Sequence, residues 1–351
     1  MFQAAVGLRE RGHEVTVISR PDDVLRARCE ANGVAFAGLR MRNQFDLASL
    51  RALARFFRRE RPDVIHVHKG VAHALALAAT WRHPVGAFVV NRGVSFPLDV
   101  WNRAKFRTRR VDRIVTVCEQ IRQVVIASGK LPPQKVVVIY AGTDVSEFDP
   151  ARWDARSFRR EKNIPDDRFL IAQVGVRDWK GWKELIDAVA ALQNPNVHLA
   201  LVGCRDETEI DSVQNWANTR GIGARVTAVE YRTDMPNVFA SCDLVVDASW
   251  AGTGITGTIR EAMAMEKPVV ATDCGGNAEL VSSSDVGWLV PVRDHAALPA
   301  AIRDVIARRD HAAIVARDAR MHVVAGFSKE IRIAKLERLY AEILGSKRSD
   351  G

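Results

Sequence analysis

The sequence predicts an α/β protein built from two Rossmann-like, doubly wound parallel-sheet domains. Three observations carry this. The chain has 351 residues, enough for two domains of ordinary size, each burying its own core. Apolar, β-branched runs alternate with helix-like segments along its length, the pattern of parallel strands joined by crossover helices. The alternation is interrupted once, where Tyr140-Ala141-Gly142-Thr143-Asp144 leads into a polar stretch with Pro150 and Pro165, an expected hinge.

In the first half, Phe2 to Arg11 reads as an amphipathic helix, and Gly12-His13 carries the chain into a strand over Glu14 to Ser19. Further strands are expected at Asp63 to Val67, Ala87 to Val90, Arg113 to Val117 and Val136 to Tyr140. The second half repeats the pattern at Phe169 to Val174, Val197 to Val202, Arg225 to Val229, Leu244 to Val246 and Pro268 to Thr272. The expected domains are 1–145 and 146–325, with 326–351 a C-terminal helix and tail that crosses back to the first. A doubly wound domain normally opens with a strand and a glycine-rich turn into its first helix. This chain starts inside that helix, so the expectation is a truncated start, with about 15 to 25 residues supplying the strand and turn.

Hydrophobic residues make up 47% and charged residues 26%, the mix of a folded globular protein. The longest apolar stretches, such as Val71 to Thr80, fall short of the roughly 20 residues that span a bilayer. The N-terminus has no basic stretch followed by an apolar core, so a cytoplasmic location is expected. The five cysteines are scattered and the histidines form no metal set, so neither a disulfide framework nor a metal site is expected. Charge is asymmetric: residues 1–150 hold 24 Lys plus Arg against 14 Asp plus Glu, and the rest hold 27 against 28. The basic half suits an anionic partner, either a phospholipid surface or a phosphorylated acceptor; a solvated arginine-rich surface is the alternative. Arg55-Phe56-Phe57-Arg58-Arg59 and Trp101-Asn102-Arg103-Ala104-Lys105-Phe106-Arg107 interleave aromatics with cations, as a membrane-surface segment does; an ordinary amphipathic helix packing its Phe inward reads the same way. No DNA- or RNA-binding module accompanies them, so nucleic acid is not an expected partner.

The segment from Ser249 to Val281 is the most informative. Gly252, Gly254 and Gly257 permit close backbone approach, and Thr256 to Met265 opens a helix whose free amides suit a diphosphate. Glu261, one turn in, can accept hydrogen bonds from a ribose diol, or simply favour the helix N-terminus. Upstream, Gln173-Val174-Gly175-Val176-Arg177-Asp178-Trp179-Lys180-Gly181 places two cations at the carboxyl end of a strand, where α/β sheets bind ligands. Paired there, they would stabilise the charge of a departing nucleoside diphosphate; Arg177 could instead cap a surface loop. Pro62 to Gly70 reads as a buried strand ending in His66, His68 and Lys69, and Asn91-Arg92-Gly93 follows the next strand.

These segments together resemble the fourth family of retaining glycosyltransferases. Glu261-Ala262-Met263-Ala264, Pro268-Val269-Val270-Ala271-Thr272 and the loop Gly275-Gly276-Asn277-Ala278-Glu279 match its donor-site signature, and the resemblance covers nearly the whole chain. One position departs: the first of the family's two glutamates, separated by seven residues, falls at 253, where this chain has Thr253. The spacing of Arg177 and Lys180 is also narrower than usual in the family.

The resemblance implies a GT-B fold, two facing Rossmann-like domains, and transfer with retention from a nucleotide-diphosphate sugar to an acceptor hydroxyl. It implies no cofactor and no metal. The implied reaction centre is His68, Arg177, Lys180 and Glu261, with His66 structural. Implied donor contacts are Gly175, Thr253, Gly254, Ile255, Thr256, Gly257, Thr258, Gly275, Gly276, Asn277 and Glu279. Lys69, Asn91 and Arg92 are the expected acceptor contacts; Asn91-Arg92-Gly93 reads equally as a solvated loop. The implied donor partner is a nucleotide sugar; the basic charge of the first half suits a saccharide or lipid-linked acceptor and a peripheral place on the inner face of the cytoplasmic membrane. Envelope polysaccharide or lipopolysaccharide synthesis is the expected setting. Rival readings are a GT-B sugar-nucleotide epimerase or phosphorylase, and a degenerate, non-catalytic nucleotide-sugar-binding protein.

Overall fold

The computed structural model describes residues 1–82, 84–252 and 254–349, without the side chains of Trp101 and Ser349. It divides into two compact units, Met1–Gly142 with Lys329–Gly351, and Thr143–Ser328. Among the described residues no helix is long and apolar enough to cross a membrane.

The second unit is a six-stranded parallel sheet. Its strands are β7 (Phe169–Val174), β8 (Val197–Cys204), β9 (Val226–Glu230), β10 (Leu244–Asp247), β11 (Val269–Thr272) and β12 (Trp288–Val290), in the order β12-β11-β10-β7-β8-β9. Numbered within the unit this is the doubly wound order, with its switch point between β7 and β10, where ligands bind at the carboxyl ends. Strands buried on both faces read as continuous apolar runs, and β8 is buried along almost its whole length. The helix Trp182–Ala191 buries Trp182, Leu185, Ile186 and Val189, the i, i+3, i+4, i+7 stripe, against Leu199, Leu201 and Val246. The three-residue β12, an edge strand, was too short to read from sequence.

The first unit holds β1 (Thr16–Ser19), β2 (Ala35–Gly38), β3 (Val64–Val67), β4 (Ala87–Arg92), β5 (Arg113–Thr116) and β6 (Val136–Val138). They form two separate parallel sheets, β1-β2 and β3-β4-β5-β6. The helix Phe2–Glu10 lies against both: Ala4 packs with Ala87, Val89 and Val115, and Ala5 with Val17 and Val34. The Ala-Phe-Ala-Gly run of β2 lacks β-branched residues, which hid it from the sequence reading. The C-terminal helix Lys329–Ser349 belongs to this unit and inserts Leu336, Leu339 and Ile343 into the same core.

Both aromatic and basic segments are amphipathic helices with a phenylalanine turned inward. Leu47–Glu60 buries Leu53 and Phe57 and exposes Arg55, Arg58 and Arg59; Val100–Arg107 buries Phe106 edge-on to His73.

Candidate functional site

In the second unit the site is organised by Asp247, a residue the sequence reading passed over by ending its strand at Val246. Asp247 closes β10 and is 1% exposed. Its Oδ1 accepts from Ser249 Oγ at 2.6 Å and pairs with Lys180 Nζ at 3.4 Å. Its Oδ2 accepts from Thr256 Oγ1 at 2.7 Å and Asn277 Nδ2 at 3.2 Å. One carboxylate therefore ties together the loops after β7, β10 and β11. Gln173, also buried, does the same beside it: its Nε2 donates to Lys180 O at 3.1 Å and its Oε1 accepts from Ala248 N at 3.0 Å. A polar residue inside an otherwise apolar strand was the available signal for both.

The glycines are required by contact. A Cβ on Gly275, which has φ +63°, would stand 2.6 Å from Gly254 O, so the loops after β10 and β11 touch backbone to backbone. At Gly181, φ +67°, a Cβ would meet Ala248 O at 2.0 Å. The Lys180 stem lies over Gly175, which has φ +94°. Gly276 precedes the short helix Asn277–Leu280, which also carries Glu279.

Thr256 caps the helix Gly257–Ala264. Its own amide donates to Asn277 Oδ1 at 3.0 Å, which fixes the cap; the amides of Gly257, Thr258 and Ile259 form the first turn of the helix, with no side-chain cap among the described residues. Such a turn favours an anion. Glu261 folds back toward that turn, its Oε1 3.7 Å from where a Cβ on Gly257 would be. Among the described residues its carboxylate has no hydrogen-bond or ion-pair partner. Burial pushes its pKa up to about 7, opposed by Arg260 and reinforced by Glu147. Arg260 itself is anchored, its Nε donating to Thr143 Oγ1 at 2.7 Å.

Arg177 is not brought to Lys180. Its Nη1 contacts both oxygens of Glu209, at 3.2 and 2.9 Å, and Glu209 also holds Arg205. The turn Asp178–Lys180 sends the two cations in different directions. Thr253 lies outside the described residues.

In the first unit the carboxyl ends of β3 and β4 bring the other expected residues together. His66 and His68 stack, ring centroids 4.5 Å apart, and His66 Nδ1 shares a 2.7 Å hydrogen bond with the Tyr340 hydroxyl. Burial is the main cause that lowers both histidines, His68 to about 3, so the His68 imidazole is neutral near pH 7. Lys69 is exposed at the start of the helix Gly70–Ala79. Asn91 and Arg92 end β4, and Arg92 Nη2 donates to Phe96 O at 2.7 Å.

Two family models match in tandem: Glycosyltransferase Family 4 over residues 1–147 and Glycosyl transferases group 1 over residues 154–322. The chain is a glycosyltransferase. This glycosyltransferase is 24% identical over 320 residues to the Escherichia coli UDP-Gal:alpha-D-GlcNAc-diphosphoundecaprenol alpha-1,3-galactosyltransferase, covering 86% of this chain and 81% of the relative. It is 28% identical over 251 residues to the lipopolysaccharide core biosynthesis mannosyltransferase LpcC of Rhizobium leguminosarum bv. viciae, 70% of this chain and 68% of that one. A solved Rickettsia africae glycosyltransferase superposes with a TM-score of 0.90 at 20% identity, covering 97% and 93% of the two chains. Anabaena HepE, solved in complex with UDP, gives 0.85 at 20% identity, with 97% and 94% covered. The glycosyltransferase therefore has the GT-B fold. Among its relatives, CapM of Staphylococcus aureus is named for capsular polysaccharide biosynthesis and LpcC for lipopolysaccharide core biosynthesis, and the finding is a transferase rather than the epimerase alternative.

Proposed function

We propose that this glycosyltransferase binds a UDP-sugar in the second unit and transfers the sugar, with retention and without a divalent metal, to the hydroxyl of a lipid-linked saccharide. The observation that carries the donor reading is the cluster around Asp247. Lys180, the first-turn amides of Gly257–Ala264 and the unpaired carboxylate of Glu261 lie within one set of loops at the switch point. A diphosphate against Lys180 and the amides has its leaving-group charge balanced as the glycosidic bond breaks, the task a cation performs elsewhere. Ribose hydroxyls then donate to Glu261. His68, neutral, is suited to hydrogen-bond a sugar hydroxyl rather than to act as a cation. UDP in an Anabaena neighbour and a diphospholipid acceptor in the Escherichia coli relative's name support the two substrate classes. The test is incubation with a panel of UDP-sugars and lipid-linked saccharides in chelator, with the anomeric configuration of the product read by NMR; inversion, or turnover only with added metal, contradicts the reading.

The Glu261 carboxyl sets an expected pH dependence. Ribose hydroxyls favour its ionised form, so UDP affinity falls by up to about tenfold per pH unit below pH 7 and levels off above it. In the unliganded protein the sign is opposite. Raised from 4.5 to about 7, the group contributes stability that is present at low pH and lost as pH rises through about 7. Glu261→Gln removes both dependences; calorimetric UDP titrations at pH 5.5, 6.5 and 7.5 read the first, and thermal melts the second. An affinity unchanged over that range removes Glu261 from the ribose.

The membrane reading, a peripheral location on the inner face of the cytoplasmic membrane, is supported by the helix Leu47–Glu60, which exposes Arg51, Arg55, Arg58 and Arg59 behind the exposed Phe45 and Leu47. Cations beside apolar side chains suit an anionic bilayer surface. Co-sedimentation with vesicles containing phosphatidylglycerol is expected at low salt and lost at high salt, and reduced by Arg55→Glu with Arg58→Glu. Equal sedimentation with neutral vesicles contradicts it.

A further inference from the structure

Polar atoms at the carboxyl ends of β3 and β4 have hydrogen-bonding capacity that the described residues do not use. His66 Nε2, Asn91 Oδ1 and Arg92 Nε are all buried without a partner. Buried polar atoms are nearly always paired, and three orphans at the ends of two adjacent strands lie where α/β sheets take ligands.

The C-terminal helix adds a charge to this place. Arg332, Leu336 and Tyr340 follow at i, i+4 and i+8, so they share one face. That face is fixed toward the sheet, because Leu336 is 1% exposed in the core with Ala87 and Val89, and Tyr340 bonds His66. Further down, the Ile333 side chain fills the space over Gly7, locking this helix against Phe2–Glu10. Arg332 is half-buried, and its positive charge is among the causes that lower both His66 and His68. Among the described residues it has no carboxylate and no hydrogen-bond partner. Other arginines of this unit do: Arg11 pairs with Glu337, Arg122 with Glu119, and Arg110 with the carbonyls of Leu77 and Thr80. Among the described residues, the acidic group that raises Arg332 is the Tyr340 phenol, itself held neutral by burial. A desolvated, unpaired guanidinium is costly to keep. It is also the group best shaped for two oxygens of a phosphate.

We propose that Arg332, with His68 and Arg92, forms a subsite for a phosphate group carried by the acceptor. This rests on the reading of the acceptor as a lipid-linked saccharide and adds that the linkage, not only the sugar, is recognised. The neutral His68 imidazole donates one N–H to a phosphate oxygen, the Arg92 Nε donates another, and Arg332 supplies the charge. A neutral saccharide meets the orphan atoms of Asn91 and Arg92 but leaves Arg332 unbalanced, which is why a phosphate is favoured.

The test uses the full chain with saturating UDP, so that the donor's own diphosphate site is filled. Three probes are titrated: N-acetylglucosaminyl diphosphate bearing a short alkyl chain, the corresponding alkyl glycoside without phosphate, and inorganic pyrophosphate. Wild type is expected to bind the diphosphate compound about tenfold or more tighter than the glycoside. Arg332→Gln abolishes that preference while leaving glycoside affinity unchanged, and Arg332→Lys restores part of it. The unliganded Arg332→Gln protein melts at the same or a higher temperature, because an unpaired charge has been removed, which separates loss of the site from loss of the fold. If wild type binds both alkyl compounds equally, or neither, the lipid-phosphate reading of the acceptor fails and the inference falls with it. If wild type prefers the diphosphate compound and folded Arg332→Gln does too, the reading stands and the Arg332 subsite is overturned. Loss of pyrophosphate binding alone makes it a site for free anions and equally overturns the acceptor role.

Discussion

Asp247→Ala is expected to abolish UDP binding and to cost the second unit about 3 kcal/mol of stability, read as a lowered chemical-denaturation midpoint. The carboxylate is fully buried and receives Ser249, Thr256, Asn277 and Lys180. Removing it leaves a largely buried ammonium and three side-chain donors without this acceptor. It also unties the three loops that shape the first turn of Gly257–Ala264. Asp247→Asn keeps the volume but cannot accept at every contact, so an intermediate loss is expected. Wild-type stability and UDP affinity in Asp247→Ala would remove this residue from the centre of the site.

The second large effect is expected at Lys180. Its Nζ lies 3.4 Å from Asp247, on a side chain only 15% exposed. Lys180→Ala is expected to weaken UDP binding by about 100-fold, the loss of a charge-assisted contact of about 2–3 kcal/mol, while the protein stays folded. Arg177→Ala is expected to change affinity by less than about threefold, since its guanidinium is already engaged by Glu209 and is 34% exposed. Calorimetry on the two variants separates them. Equal losses would mean that UDP draws Arg177 away from Glu209 into the site.

The contrast between these two cations shows where sequence reasoning reached its limit. The glycine-rich loop, the helix beginning at Gly257 and Glu261 one turn later were legible because their chemistry is local: free amides, close-approach glycines and a carboxylate spaced along one helix. Asp247 and Gln173 were not, because their work is done across 67 and 75 residues of chain, at contacts with Lys180 and Ala248. Arg177 and Lys180 stand three apart and look like a pair, yet the tight turn that Gly181 closes splits them. The hydrogen-bond partner of His66 comes from the far C-terminus, Tyr340, 274 residues away. The strands show the same division. Long β-branched runs such as β8 were found, whereas β2, with alanine and glycine, and the three-residue β12 depend on neighbours for their pairing.

The central claim is that the second unit holds a nucleoside diphosphate through Lys180, Glu261 and the helix amides alone. Calorimetric titration of UDP into the full chain in excess chelator tests it most directly. Saturable one-to-one binding, lost in Lys180→Ala and Glu261→Ala, is the expected result; no binding until magnesium or manganese is restored would contradict it.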